Sequence, residues 1–132
     1  MRHPVRRILV PVDLSPLSRL AYRWAREHFP KAEVEVLFVC ERPVPLIMEY
    51  PSPPIFPANL RRVEKRLRKD FPGAKARAME GGPASVITRR ARGFDLVIMG
   101  GHGRRGLKRA FLGSVSELVA RRSATPVLIV KS

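Results

Sequence analysis

A single cysteine, Cys40, occurs in 132 residues, so an intrachain disulfide is impossible, and no Cys/His spacing resembles a zinc site. Glutamine is absent, Asn59 is the only asparagine, and acidic residues are scarce: 11 Asp and Glu face 26 Lys and Arg, a formal net charge of +15. That imbalance predicts a surface that attracts polyanions. No apolar run reaches the roughly 20 residues needed to cross a bilayer. The opening Met1-Arg2-His3-Pro4 lacks the apolar segment and small-residue cleavage site of a signal peptide. These absences predict a cytoplasmic protein with no membrane contact. The length suits one domain with one core, expected to span residues 1–132. Arginine outnumbers lysine, and 13 prolines stiffen the chain. With so few deamidating side chains, this composition is that expected of a thermophile.

What is present alternates. Arg7 to Asp13 is a β-branched apolar run, as a strand buried on both faces requires. Ser15-Pro16 reads as an N-cap with proline in the first turn, and Leu17, Leu20, Ala21, Trp24, Ala25 and His28 follow at helical spacing to about Phe29. Val34 to Cys40 is a second strand. Prolines every few residues make 43–57 a loop. Leu60, Val63, Leu67 and Phe71 form the apolar stripe of a very basic helix that Pro72-Gly73 ends. Ala74 to Met79 is a weaker strand, expected near an edge because it carries Lys75 and Arg77. Gly81-Gly82-Pro83 turns into a helix with Ala84, Val86, Ile87 and Ala91, and Asp95 to Met99 is a clear inner strand. Ser114 is placed to cap a helix through about Ser123, and Pro126 to Val130 is the last strand. Five strands alternating with four helices imply an α/β fold: right-handed crossovers and a parallel sheet covered on both faces.

The glycines after Met99 admit three phosphate-binding templates. A P-loop needs Lys-Ser/Thr after its second glycine, but Leu107-Lys108 follows Gly106. Gly101, Gly103 and Gly106 match the dinucleotide fingerprint literally. That motif needs a further strand with an acidic ribose ligand, and only one helix and one strand remain. The third template, Gly, two residues, Gly, nine residues, Gly-Ser, is met in full by Gly100, Gly103, Gly113 and Ser114. Glycine allows positive φ and close approach to phosphate oxygens, and a helix opening at Gly113-Ser114 offers free N–H groups and a positive dipole end.

Met99 to Arg104, Leu112 to Val115 and Thr125 to Val130 together resemble the C-terminal signature of universal stress proteins. Ile8 to Asp13 with Ser15 resembles the family's opening strand and turn, and Gly82-Pro83-Ala84 with Asp95 to Gly100 its third crossover. The likeness to the ATP-binding subgroup implies a Rossmann-like sheet of the adenine nucleotide alpha hydrolase type, in order 3-2-1-4-5, with ATP, ADP or AMP over the ends of strands one and four. It implies Asp13 beside the adenosine, Pro11 and Val12 shaping the pocket floor, and Val39 on the adenine side. Gly100, Gly103, Gly113, Ser114 and Val115 would serve ribose and phosphates, with Met99 packed nearby and His102 a loop contact. Any Mg²⁺ would be held mainly through the phosphates. The family also implies a homodimer through the last strand, and a stress or signalling role with hydrolysis slow or absent.

Blander readings stand beside these. From position alone, Asp13 is a strand terminus or helix cap. No serine or cysteine nucleophile with a supporting acid can be assigned around His102. Arg104, Arg105, Lys108 and Arg109 could neutralise phosphate, although in so basic a chain some cations fall there by chance. The cluster Arg61, Arg62, Lys65, Arg66, Arg68 and Lys69 offers a different function, binding of nucleic acid or another acidic partner without nucleotide. A solvated helix face ranks ahead of it, because interleaved aromatics are missing.

Overall fold

The computed structural model describes residues 4–41, 57–101 and 113–131. Within them the chain forms β1 (Arg7–Pro11), α1 (Pro16–His28), β2 (Glu33–Cys40), α2 (Pro57–Asp70), β3 (Lys75–Glu80), α3 (Pro83–Ala91), β4 (Leu96–Gly100), α4 (Ser114–Arg122) and β5 (Val127–Val130). The sheet order is β3-β2-β1-β4-β5 with every pairing parallel, as the alternation and the family likeness implied.

That order explains where the helices lie. The chain steps one way from β1 to β3 and the other way from β3 to β5, so right-handed crossovers place the first two helices on one face and the last two on the other. Two buried clusters follow. Ile8, Val10, Val34, Val36 and Ile98 meet Ala21 and Ala25 of α1 and Leu67 of α2. On the opposite face Leu9, Leu37, Val97 and Met99 meet Val86, Ile87 and Ala91 of α3 and Val119 of α4. Adjacent strand residues alternate between the clusters, the period-two geometry of a sheet buried on both sides.

Local signals carry the boundaries. Ser15 caps α1, its hydroxyl accepting the Ser18 N–H, with proline in the first turn. After α2 the chain turns at Gly73, whose φ of +90° lies in the left-handed region that glycine enters without a Cβ penalty. At the N-terminal end of the sheet, the exposed carboxylate of Asp95 accepts the backbone N–H groups of Arg6 and Arg7 at 3.0 and 2.9 Å. These bonds, Arg7's first, hold its pKa below the ordinary aspartate value.

β2 departs from the simple pattern. Glu33-Val34-Glu35-Val36 alternates as a half-exposed strand would, yet Glu35 is buried. Its carboxylate takes a bidentate pair from Arg90 of α3 at 2.9 and 2.7 Å, the geometry that makes a buried charge tolerable.

Candidate functional site

In a parallel sheet all C-terminal strand ends share one side, and ligands gather where the strand order reverses, here between β1 and β4. The two strands part early. Their pairing is recorded at Ile8–Leu96 and Leu9–Val97, whereas β1 stays with β2 through Pro11–Leu37. Proline accounts for this. The Val12 N–H donates to Leu37 O at 2.9 Å, and Arg7 O accepts from Asp95 N at 2.9 Å. Even-numbered residues of β1 therefore face β2 and odd-numbered ones face β4. Pro11 falls on the β4 side and has no N–H to give.

Just beyond the strand, Asp13 is half-buried and tied to the start of α1. Its Oδ1 accepts the Ser15 N–H at 3.0 Å and the Ser18 hydroxyl at 2.6 Å, while its own N–H donates to Ser18 Oγ at 3.0 Å. Leu14 turns the chain with φ 67°, the one positive φ at a non-glycine residue among those described. The cap of α1 is Ser15, not Asp13. Ser18 was missed from sequence because a serine three residues into a helix carries no distinctive signal.

Across the gap, β4 ends at Gly100. Expected to use positive φ, Gly100 does not. It lies outside the left-handed region, and a Cβ there would come within 2.7 Å of Leu17 Cγ. Glycine is required by the approach of α1, not by a turn. Gly113 differs from expectation in the same way, with φ −62° and ψ 156°.

The helix start is also shifted. Gly113 is the N-cap of α4 and Ser114 its first helical residue, and among the described residues no side chain caps the helix. Ser114 does not cap because it already lies inside the first turn, exposed. The two stems of the loop are clasped: Gly113 N–H donates to Gly101 O, and Gly101 N–H to Val130 O at 3.0 Å. The buried Ser116 hydroxyl lies 3.2 Å from Gly101 O and 2.9 Å from Gly113 O. Ser116, too, escaped the sequence reading, since its partners are backbone atoms brought close only by folding. Of the two helices starting near the switch point, α1 is capped by its own serine, while among the described residues no side chain caps the opening turn of α4.

The apolar residues divide between the faces. Met99 is buried, and Val39 and Val115 pack against its cluster on the α3/α4 side. Pro11 shares that face by alternation, whereas Val12 is buried in the opposite cluster with α1. His102 and Gly103, with Arg104, Arg105, Lys108 and Arg109, lie outside the described residues, as does most of the 43–57 segment. The basic residues of α2 from Arg61 to Lys69 are exposed, with Arg66 paired to Asp70 at 3.1 Å.

Comparison with known proteins agrees with this arrangement. The sequence pattern of the universal stress protein family matches residues 4–131. The chain belongs to that family. Universal stress protein YxiE of Bacillus subtilis is 33% identical over 146 residues, covering 95% of this chain and 98% of its own. The sequence matches to two other members cover less than half of those proteins' length. MJ0577 of Methanocaldococcus jannaschii is 54% identical over 39 residues, 30% of this chain and 24% of that protein. Mb2028c of Mycobacterium bovis is 29% identical over 133 residues, 94% of this chain and 45% of that one. Among solved structures, that of MJ0577 superposes with a TM-score of 0.71 at 25% identity over 97% of this chain and 96% of the other. A universal stress protein in complex with cAMP gives 0.62 at 24% identity over 96% and 97%. An Arabidopsis thaliana family member with AMP bound gives 0.60 at 19% identity over 96% and 91%.

Proposed function

We propose that this universal stress protein binds ATP or a related adenine nucleotide at the C-terminal ends of β1 and β4 and serves as a stress or signalling module. The observation that carries the reading is the opening turn of α4: among the described residues no side chain caps it, and Gly101, Gly113 and Ser116 clasp it beside β4. Such a turn offers backbone N–H groups and the positive end of the helix dipole to an anion. Asp13, held just beyond the end of β1, is the polar group for the nucleoside, and Val39, Met99 and Val115 supply apolar surface on the α3/α4 face. That fold neighbours have been seen with cAMP and AMP supports the choice of an adenine ligand.

Among the described residues no group of three or more His, Cys, Asp or Glu is arranged to hold a metal, so Mg²⁺ would accompany the nucleotide through its phosphates. Rapid hydrolysis requires a residue that orients water and a charge clamp on the γ-phosphate. The described residues supply a cradle for binding, and slow hydrolysis at most is proposed.

The test is a thermal-shift or calorimetric titration. ATP at a hundredfold excess over Kd should stabilise the wild type by about 2.7 kcal/mol. Gly113→Val should abolish that gain while remaining folded, because its backbone angles are open to any residue. A wild type indifferent to ATP, ADP and AMP refutes the proposal.

We also infer a homodimer formed through β5. The outer edge of β3 is obstructed: Glu64 of α2 accepts the Ala78 N–H at 3.0 Å. Val127, Leu128 and Ile129 on the opposite edge are only half-buried. An unprotected apolar edge is a template for pairing with a second strand.

A further inference from the structure

We propose that the outer face of α2 is a docking surface for the phosphate backbone of double-stranded nucleic acid, a function separate from the nucleotide site.

The sequence marks this helix as basic, and packing gives the charge a direction. Val63, Leu67 and, one residue past the helix, Phe71 are turned into the cluster shared with α1. At about 100° per residue, Arg61, Arg62, Lys65, Arg66, Arg68 and Lys69 fill an arc of about 160° centred opposite that stripe. All six are exposed. The two carboxylates of the helix flank the arc: Glu64 accepts the Ala78 N–H of β3 at 3.0 Å, and Asp70 pairs with Arg66 at 3.1 Å. Among the described residues no carboxylate pairs with Arg61, Arg62, Lys65, Arg68 or Lys69. Arg61, Lys65 and Lys69 stand four residues apart, and Arg62, Lys65 and Arg68 three apart. Like charges at these spacings oppose a helix, and a polyanion lying along the rows offsets that opposition.

The make-up of the face selects among polyanions. Specific protein partners meet an apolar or aromatic centre from which lysine is depleted, and the outer arc of α2 has no such centre. A helix lying on a membrane needs its apolar side free to enter the bilayer, whereas that side of α2 is in the core. The exposed large apolar side chains among the described residues, Leu20 and Leu118, belong to α1 and α4. Single strands are held by bases stacked on aromatic rings, and α2 contains no aromatic residue. A duplex keeps its bases stacked inside and presents phosphates, one charge per about 1.7 Å of its axis. From Arg61 to Lys69 the helix rises about 12 Å, alongside about seven such charges. The missing aromatics therefore count against single strands and not against a duplex.

The experiment follows fluorescence anisotropy of a labelled, mixed-sequence DNA duplex of about 20 base pairs, longer than α2 can span, through a salt series. With the five unpaired cations engaged, log K should fall against log salt with a slope of about −4.5, about a 500-fold loss of affinity between about 50 and 200 mM salt. The triple variant Arg62→Gln, Lys65→Gln, Lys69→Gln keeps good helix formers in α2. It should reduce the magnitude of the slope by about 0.9 for each cation removed. A matched triple on the α3/α4 side, Arg89→Gln, Arg92→Gln, Arg122→Gln, removes three exposed cations and should leave the slope unchanged. Gly113→Val, expected to lose ATP, should bind the duplex as the wild type does, so the two readings stand or fall separately. Equal loss in both triples assigns the binding to diffuse charge and overturns the proposal, as does a wild type that does not bind the duplex at about 50 mM salt. Tighter binding to the same sequence as a single strand, to polyglutamate or to vesicles of anionic phospholipid overturns it too. If the α2 triple does not fold by circular dichroism, its three single variants are read in its place, each expected to take about 0.9 from the slope.

Discussion

Replacing Gly100 by alanine isolates the contact that holds α1 against the switch point. The added Cβ would lie 2.7 Å from Leu17 Cγ, 3.1 Å from Cδ2 and 3.3 Å from Cβ. Two of these atoms lie close to the backbone of α1 and cannot swing aside as a side-chain tip would. Backbone strain is not involved, because Gly100 is not in the left-handed region. Overpacking of this kind costs about 1 to 3 kcal/mol. Leu17→Ala alone removes a half-buried side chain from the α1/α2 cluster, and about 1 to 2 kcal/mol is reasonable against the 2 to 5 of a fully buried leucine. In the double variant the two closest contacts, to Cγ and Cδ2, are gone and only Cβ at 3.3 Å remains, while the new methyl occupies part of the vacated space. The pair should therefore be less destabilised than the sum of the singles by about 1 to 2 kcal/mol, read as about 3 to 8 °C in Tm for a chain of this size. Urea denaturation followed by circular dichroism on the four proteins closes the cycle. Additivity within about 0.5 kcal/mol would show that the two residues do not press on each other and would refute the explanation for Gly100.

Two further outcomes are expected. At Leu14, with φ 67°, the usual order should invert: Leu14→Gly should be more stable than Leu14→Ala by about 1 kcal/mol in the same denaturation assay, since only glycine avoids the Cβ penalty there. An alanine variant equal to or better than glycine contradicts the left-handed turn. Light scattering coupled to size exclusion should give twice the 14.9 kDa chain mass at micromolar concentration. Ile129→Pro should reduce it to one: Val130 O and Pro126 O face β4, so Ile129 presents its N–H to the outer edge. A monomeric wild type defeats the dimer.

Much was legible in the sequence because it rests on local rules. Continuous apolar runs at β1 and β4, helical spacing in α1 and α2, Ser15-Pro16 before a helix and Lys75 with Arg77 on an edge strand each depend on nearest neighbours and burial. The alternation of strands with helices implied the class, and the likeness of the glycine motif to one family carried the order 3-2-1-4-5, which the sheet shows. Periodicity failed where a partner came from elsewhere in the chain. The alternating Glu33-Val34-Glu35-Val36 gave no hint that Glu35 is buried, because Arg90 lies 55 residues away.

The sequence by itself determined that glycines stand at positions 100 and 113 and an aspartate at 13, and it named the chemistry those types suit. Only the tertiary structure decided why they are there. Gly100 is small because Leu17 crosses over it, and Gly113 caps α4 in an extended conformation in place of Ser114. Asp13 is fixed by a serine on the following helix. Pro11 ends the pairing of β1 with β4 because strand alternation turns its missing N–H toward that neighbour. Each answer depends on which backbone lies opposite, a relation that sequence spacing cannot encode and that packing across the sheet settles.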